Sequence, residues 1–243
     1  TVLVTGATAG IGEACARAFA SFGARVIICG RREERVTALM EELIREHGVE
    51  VRARVLDVAD REAVEAWAKD LMDEDFMPDV LVNNAGLARG LSTVQEGSHE
   101  DWDEMVDTNV KGLLYVTRAF LPDMVKRDKG HVVNIGSIAG HWTYPKGAVY
   151  CSTKFAVRSI TEGMSLDLVG TRVRVSSVDP GMVETEFSEV RFRGDSERAE
   201  KVYKGVEKPL TGADVADMGD RAKAVAVIAA QYFRTITNGP RIS

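Results

Sequence analysis

The stretch TGATAGIG, Thr5–Gly12, decides how the chain begins to fold. It follows a short apolar run, Thr1–Val4. It opens a segment, 10–22, in which Ile11, Ala14, Ala18 and Phe22 recur at helical spacing and are expected to point inward. A strand that ends in glycines and a helix that starts on them make a tight turn. Glycine there lets a pyrophosphate come close to the backbone, and the helix N-terminus favours its charge. An ordinary strand–helix turn reads the same way, so the rest of the chain has to choose.

Outward from this turn the pattern alternates. Arg25–Cys29 is apolar and rich in β-branched residues. Glu33–His47 is charged and amphipathic, with Val36, Leu39 and Leu43 on one face. Val51–Leu56 reads as a strand, Arg61–Asp73 as a helix and Val80–Val82 as a strand. Residues 100–127 read as one or two helices broken near Asn109. His131–Ile135 is a strand, 148–169 a helix and Arg172–Val178 a strand. Strands alternating with helices predict an α/β fold: one doubly wound parallel sheet of Rossmann type, covered by helices on both faces. No repeat or linker divides the chain, so 1–243 is expected to be a single domain. Between about 180 and 210 the pattern lapses into a polar, glycine-bearing stretch, expected to be a lid or substrate loop.

Composition narrows the function. The 243 residues are 45% hydrophobic with a net charge of −6. That balance supports a sizeable core and argues against nucleic acid or an anionic membrane as partner. No apolar run is long enough for a membrane span, and no signal peptide is visible. Cys15, Cys29 and Cys151 fit neither a disulfide framework nor a zinc pattern, which points to a reducing cytoplasm. The four histidines lack ligand spacing, so no metal site is expected. A small-molecule substrate remains.

Six ordered motifs then carry a resemblance. The first turn is spaced Gly6-x-x-x-Gly10-x-Gly12. LDV stands at 56–58, NNAG at 83–86, DTN at 107–109 and IGS at 135–137. Tyr150 and Lys154 form Tyr-x-x-x-Lys, and DPGMVET spans 179–185. Through about residue 217 the chain resembles the short-chain dehydrogenase/reductase superfamily. The resemblance implies a catalytic set of Asn109, Ser137, Tyr150 and Lys154. It implies a dinucleotide held by Thr5, Gly6, Thr8, Gly10, Ile11 and Gly12, with Asp57 and Val58 at the adenine. Asn83, Ala85 and Gly86 follow the fourth strand, Tyr150 and Lys154 sit at the nicotinamide end, and Pro180, Gly181, Val183 and Thr185 close over it.

Elementary chemistry accounts for the pair in the middle. A tyrosine with an unperturbed pKa near 10 is a poor base at neutral pH, and a cation beside it favours the phenolate. Residues 150 and 154 share one helical face. Tyr150 is therefore expected to exchange a proton with an alcohol oxygen while hydride leaves the same carbon. Ser137 is expected to stabilise the charge on that oxygen, and by resemblance Asn109 helps hold a relay water.

Cofactor choice follows from CGRREER. An NAD enzyme usually carries an acidic residue where this chain has Gly30, followed by Arg31 and Arg32. Guanidinium groups suit a phosphate dianion, and cations at a helix N-terminus need some compensation. NADP is expected over NAD.

The substrate reading rests on FSEVRFRGD, Phe187–Asp195, which resembles the branch acting on 3-hydroxy acids such as serine, allo-threonine and 3-hydroxypropionate. Arg191 or Arg193 is expected to clamp a substrate carboxylate, with Ser137, His141, Tyr150, Met182 and Phe187 around the pocket, joined by Trp142 and Tyr144. Another alcohol or ketone (a sugar, a polyol or a 3-oxoacyl thioester) and a non-enzymatic NADP sensor are the alternatives. The intact tetrad weighs against the sensor. The superfamily implies a homodimer or homotetramer, built on the helices at 100–127 and 148–169. Residues 218–243 form an atypical tail: a helix at Ala222–Phe233, a weak strand at Thr235–Thr237, and either true divergence or a shifted reading frame behind them.

Overall fold

In the computed structural model, residues 1–203 and 209–216 are described. Six parallel strands form the central sheet: β1 (Val2–Thr5), β2 (Val26–Gly30), β3 (Val51–Val55), β4 (Val80–Asn83), β5 (Gly130–Ile135) and β6 (Val173–Val178). Their order is β3-β2-β1-β4-β5-β6. The order reverses between β1 and β4, and the crevice at such a switch point is where open α/β sheets bind ligands.

The strands are apolar on both faces because both faces are covered. Val2 and Val4 pack with Val26 and Ile28 under α1 (Gly10–Ser21) and α2 (Glu33–His47). Leu3, Ile27, Leu81 and Val132 face the opposite layer, built on α3 (Arg61–Asp73), α5 (Leu113–Lys126) and the C-terminal end of α6 (Ala148–Asp167). Local chemistry sets the ends of the helices. Asp60 caps α3 by accepting from the Ala63 amide at 3.0 Å. Gly48 ends α2 at φ 64°, in the left-handed region a glycine tolerates.

Two expectations about helices shift. The buried face of α1 is Gly12, Cys15, Ala16, Phe19 and Ala20. Ile11, Ala14 and Ala18 are only partly buried, and Phe22 is 56% exposed. The true stripe keeps helical spacing one position out of phase with the expected one, and Phe22 already lies past the last turn. Nor does the chain break near Asn109. Helix α4 (His99–Val106) passes through a π-helical turn, Asp107–Gly112, directly into α5. A π-turn fits an extra residue into the helix, and such turns are frequent at functional sites.

The stretch expected to be irregular has structure of its own. β7 (Val183–Glu184) pairs with β8 (Leu210–Thr211), while α7 (Phe187–Arg191) and α8 (Ser196–Tyr203) lie between them. Helix α9 (Gly212–Ala216) packs on α1, where Ala216 joins the core. The tail expectations, Ala222–Phe233 and Thr235–Thr237, fall outside the described residues.

Candidate active site

At the C-terminal end of β1, Gly6 and Gly10 adopt φ 61° and 55°. Glycine at 12 is required for a different reason. A Cβ there would stand 2.4 Å from the Gly6 carbonyl and 2.3 Å from Asn84 Nδ2. Asn84 Nδ2 donates to the carbonyls of Thr5 and Gly6 at 2.9 and 3.1 Å. Thr5 Oγ1 accepts from the amides of Asn84 and Ala85, both at 3.0 Å. The ends of β1 and β4 are thereby clipped together with their backbone bare toward the crevice.

That crevice is a cleft of about 330 Å³. Its walls include Gly6, Thr8, Gly10, Ile11, Arg31, Arg32, Asp57, Val58, Ala85 and Gly86. Ser137, Tyr150, Lys154, Pro180, Gly181, Val183, Thr185 and Phe187 are also among them. Thr5, Gly12, Asn83 and Asn109 stand behind the walls. Asn83 is buried, and its amide donates to Thr117 Oγ1 and Asn134 Oδ1, each at 2.9 Å. Asn109 lies in the π-turn. Its Oδ1 accepts from the Leu87 amide at 2.8 Å, and its Nδ2 donates to Leu87 O and Thr153 Oγ1 at 2.8 and 3.0 Å. It ties the segment after β4 to α6, one residue before Lys154.

Ser137 follows β5 with an extended backbone and accepts from the Ala139 amide at 3.1 Å. It is hydrogen bonded to the phenol of Tyr150 in the first turn of α6. Burial pushes that phenol above its ordinary range, while Ser137 and the Arg191 guanidinium pull it back. Lys154 lies one turn on, buried, and donates to Ile135 O at 2.9 Å. Burial lowers its pKa to about 8 against the opposing pull of Asp179.

The other end of the cleft carries arginines, each paired with a carboxylate. Arg31 lies 3.6 Å from both Asp57 and Glu104. Arg32 donates to Thr8 O at 3.2 Å and to Glu186 at 2.8 Å. Arg35 grips both oxygens of the same carboxylate at 2.6 and 2.8 Å. Asn84, Arg35 and Glu186 were missed by the sequence reading. Arg35 had a signal, as a third arginine in the first turn of α2. Glu186 had none, since its partners lie some 150 residues away in the chain.

The residues read as substrate-facing separate. Arg191 is 7% exposed; Nε donates to Gly90 O at 2.8 Å and a terminal nitrogen to Tyr144 Oη at 3.1 Å. Its guanidinium carbon lies 5.7 Å from the centre of the Tyr150 ring, and Phe187 meets that ring edge-on at the same 5.7 Å. Arg193 turns away at φ 53° and pairs with Asp101 at 2.6 Å. His141 bridges Asp179 and Arg158 at 2.9 and 3.1 Å, and neither it nor Met182 lines the cleft. Among the described residues, no group of His, Cys, Asp and Glu could hold a metal ion.

The cleft fits a dinucleotide: bare glycine backbone at a helix N-terminus, guanidinium groups at one end and a phenol–ammonium pair at the other. Comparison with known proteins agrees. Residues 1–196 match the family model for short chain dehydrogenase. The chain belongs to the short-chain dehydrogenase family. As a member it is an oxidoreductase of CH–OH groups. NADP-dependent 3-hydroxy acid dehydrogenase YdfG of Salmonella typhimurium is 51% identical over 217 residues, 89% of this chain and 86% of that one. Serine 3-dehydrogenase of Agrobacterium fabrum is 45% identical over 218 residues, 89% and 85% of the two chains. The closed form of serine dehydrogenase complexed with NADP+ matches this short-chain dehydrogenase with a TM-score of 0.82 and 50% identity, covering 88% of this chain and 85% of that one.

Proposed function

We propose that this short-chain dehydrogenase uses NADP to interconvert a short 3-hydroxy acid, of the serine, allo-threonine or 3-hydroxypropionate type, with its 3-oxo acid or semialdehyde. The observation that carries the substrate class is the buried Arg191 guanidinium against the Tyr150 ring. A substrate carboxylate paired with it would place a carbon two bonds away beside the phenol. Three related proteins named for 3-hydroxy acids or serine point the same way.

Bound NADP supplies the hydride acceptor in oxidation and, reduced, the donor in the reverse direction. The chain supplies the rest. Tyr150 takes the hydroxyl proton as the carbonyl forms and returns it in reduction. Ser137 donates a hydrogen bond to the reacting oxygen. Lys154 holds the ribose and is the proton carrier next in line, and Asn109 fixes the backbone around them. Arg31 and Arg32 receive the 2′-phosphate.

We assign the protein to a reducing cytoplasm on the strength of three free, buried cysteines. Among the described residues no helix is long and apolar enough to cross a membrane. We assign it to a homodimer or homotetramer because Leu114 and Val125 on α5, and Phe155 and Leu166 on α6, are exposed. Each pair is eleven residues apart, so it repeats on one face of its helix.

The test is NADP reduction with serine, allo-threonine and 3-hydroxypropionate beside a sugar, a polyol and, in reduction, a 3-oxoacyl thioester. The hydroxy acids should give the highest kcat/KM. A polyol or thioester that outruns all of them would replace this reading.

A further inference from the structure

We propose that Arg89 is a positioning residue for substrate selection: it straps the C-terminal end of α7 to α4 and so fixes Arg191 where a substrate carboxylate reaches it. This rests on the reading of Arg191 as the carboxylate clamp, and it assigns the residue that holds the clamp in place.

Helix α7 needs such a strap. Its five residues, Phe187–Arg191, are too few for a helix to keep its shape in water unaided. The last turn is tied instead to the segment after β4, 101 residues away in the chain. Arg89 Nη1 donates to Val190 O. The Gly90 amide donates to the Arg191 carbonyl at 3.0 Å, and Arg191 Nε donates back to Gly90 O at 2.8 Å. The other end of α7, with Phe187 against Tyr150, is held separately: Thr185 Oγ1 accepts from the Phe187 amide at 3.2 Å.

Arg89 serves as the strap because its own place is fixed. Its side chain is 9% exposed and takes both oxygens of Glu104 on α4, Nε to Oε2 at 2.6 Å and Nη2 to Oε1 at 2.5 Å. Forked pairs of this kind are the strong ones. The third nitrogen is left for Val190 O, a division of donors that a lysine ammonium does not reproduce. Glu104 also offsets the charge of Arg89, so a second guanidinium can stand close by. Arg89 and Arg191 line one cavity of about 20 Å³ beside Tyr150, room for about one water. The remaining ties are weaker or narrower. Arg193 pairs with Asp101 at 2.6 Å but is 59% exposed, where an ion pair contributes little. Tyr144 Oη meets only the tip of Arg191, at 3.1 Å. Without Arg89 the end of α7 loses its buried donor, and the cavity gives Arg191 room to shift. A misplacement of about 1 Å can cost about a hundredfold. A substrate without a carboxylate makes no use of the clamp and reacts as before.

The experiment measures kcat/KM with NADP for 3-hydroxypropionate and for its methyl ester in the wild type, Arg89→Met and Arg191→Met. In Arg89→Met the preference for the acid should fall by about tenfold, through a higher KM for the acid, while the ester stays within about twofold of wild type. Equal losses on acid and ester would make Arg89 a structural residue only and overturn the proposal, as would an unchanged preference. Arg191→Met separates the two claims. If it keeps the preference, the clamp is wrong and the proposal falls with it. If it loses the preference while Arg89→Met keeps it, the clamp stands and the strap alone is wrong. Arg89→Lys, which keeps the charge and loses the fork, takes the place of Arg89→Met if that variant does not bind NADP, with the same loss expected.

Discussion

Lys154 takes an ammonium into a site that is 7% exposed, with Ile135 O as its hydrogen-bond acceptor. Below pH 8 the lysine is charged in both the folded and the unfolded chain, and the folded state bears the full cost of burying it. Between its folded pKa of about 8 and the ordinary value of 10.5 the unfolded chain binds the extra proton, so stability gains as pH rises through that window. The cost at neutral pH is on the order of 3 kcal/mol. Lys154→Met, melted without cofactor, should therefore be more stable than wild type at pH 7, with the gap closing toward pH 10.5. A gap that is constant with pH would mean the charge is not what destabilises the site. At this scale the proposed catalytic pair was legible, because Tyr150 and Lys154 share a helix and their spacing is local. The choice between Arg191 and Arg193 was not. They are two residues apart, and which one turns inward is set by the left-handed backbone at 193.

The strand–helix turns frame the cleft, and their glycines mark them in the sequence. What the sequence hid were partners on different elements: Asn84 against the first turn, and Glu186 from the substrate loop against Arg32 and Arg35. The π-turn was also read as a break, because an extra residue in the helix disturbs the apolar spacing just as an interruption does. At this scale we assign the preference for NADP to the loop between β2 and α2. Placing a carboxylate at position 30 is not a clean probe, since its Cβ would stand 2.8 Å from Thr8 Cγ2. Neutralising the arginines is cleaner. Arg31→Ser with Arg32→Ser should lower kcat/KM for NADP by about tenfold to a hundredfold, the worth of a charged hydrogen bond, and leave NAD nearly unchanged. An equal loss with both cofactors would place the phosphate contact elsewhere.

For the whole molecule, a doubly wound parallel sheet was implied by alternation, since right-handed crossovers allow few sheets, whereas the order β3-β2-β1-β4-β5-β6 is seen only in the structure. Assembly is written less clearly, because exposed apolar residues are normal singly and become informative only when they line up in space. Leu114 and Val125 on α5, and Phe155 and Leu166 on α6, are exposed and each pair recurs on one face of its helix. Light scattering should give twice or four times the mass of the chain, and Leu114→Glu with Phe155→Glu should lower it; a monomer in the wild type would contradict the assignment. The central claim is that this fold oxidises a hydroxyl-bearing carbon two bonds from a carboxylate carbon. Its most direct test is kcat/KM with NADP for 3-hydroxypropionate against its methyl ester, which has the same reacting carbon and no charge. A charge-assisted pair at Arg191 predicts a preference for the acid of about tenfold to a hundredfold. Equal values, or a preference for the ester, would contradict it.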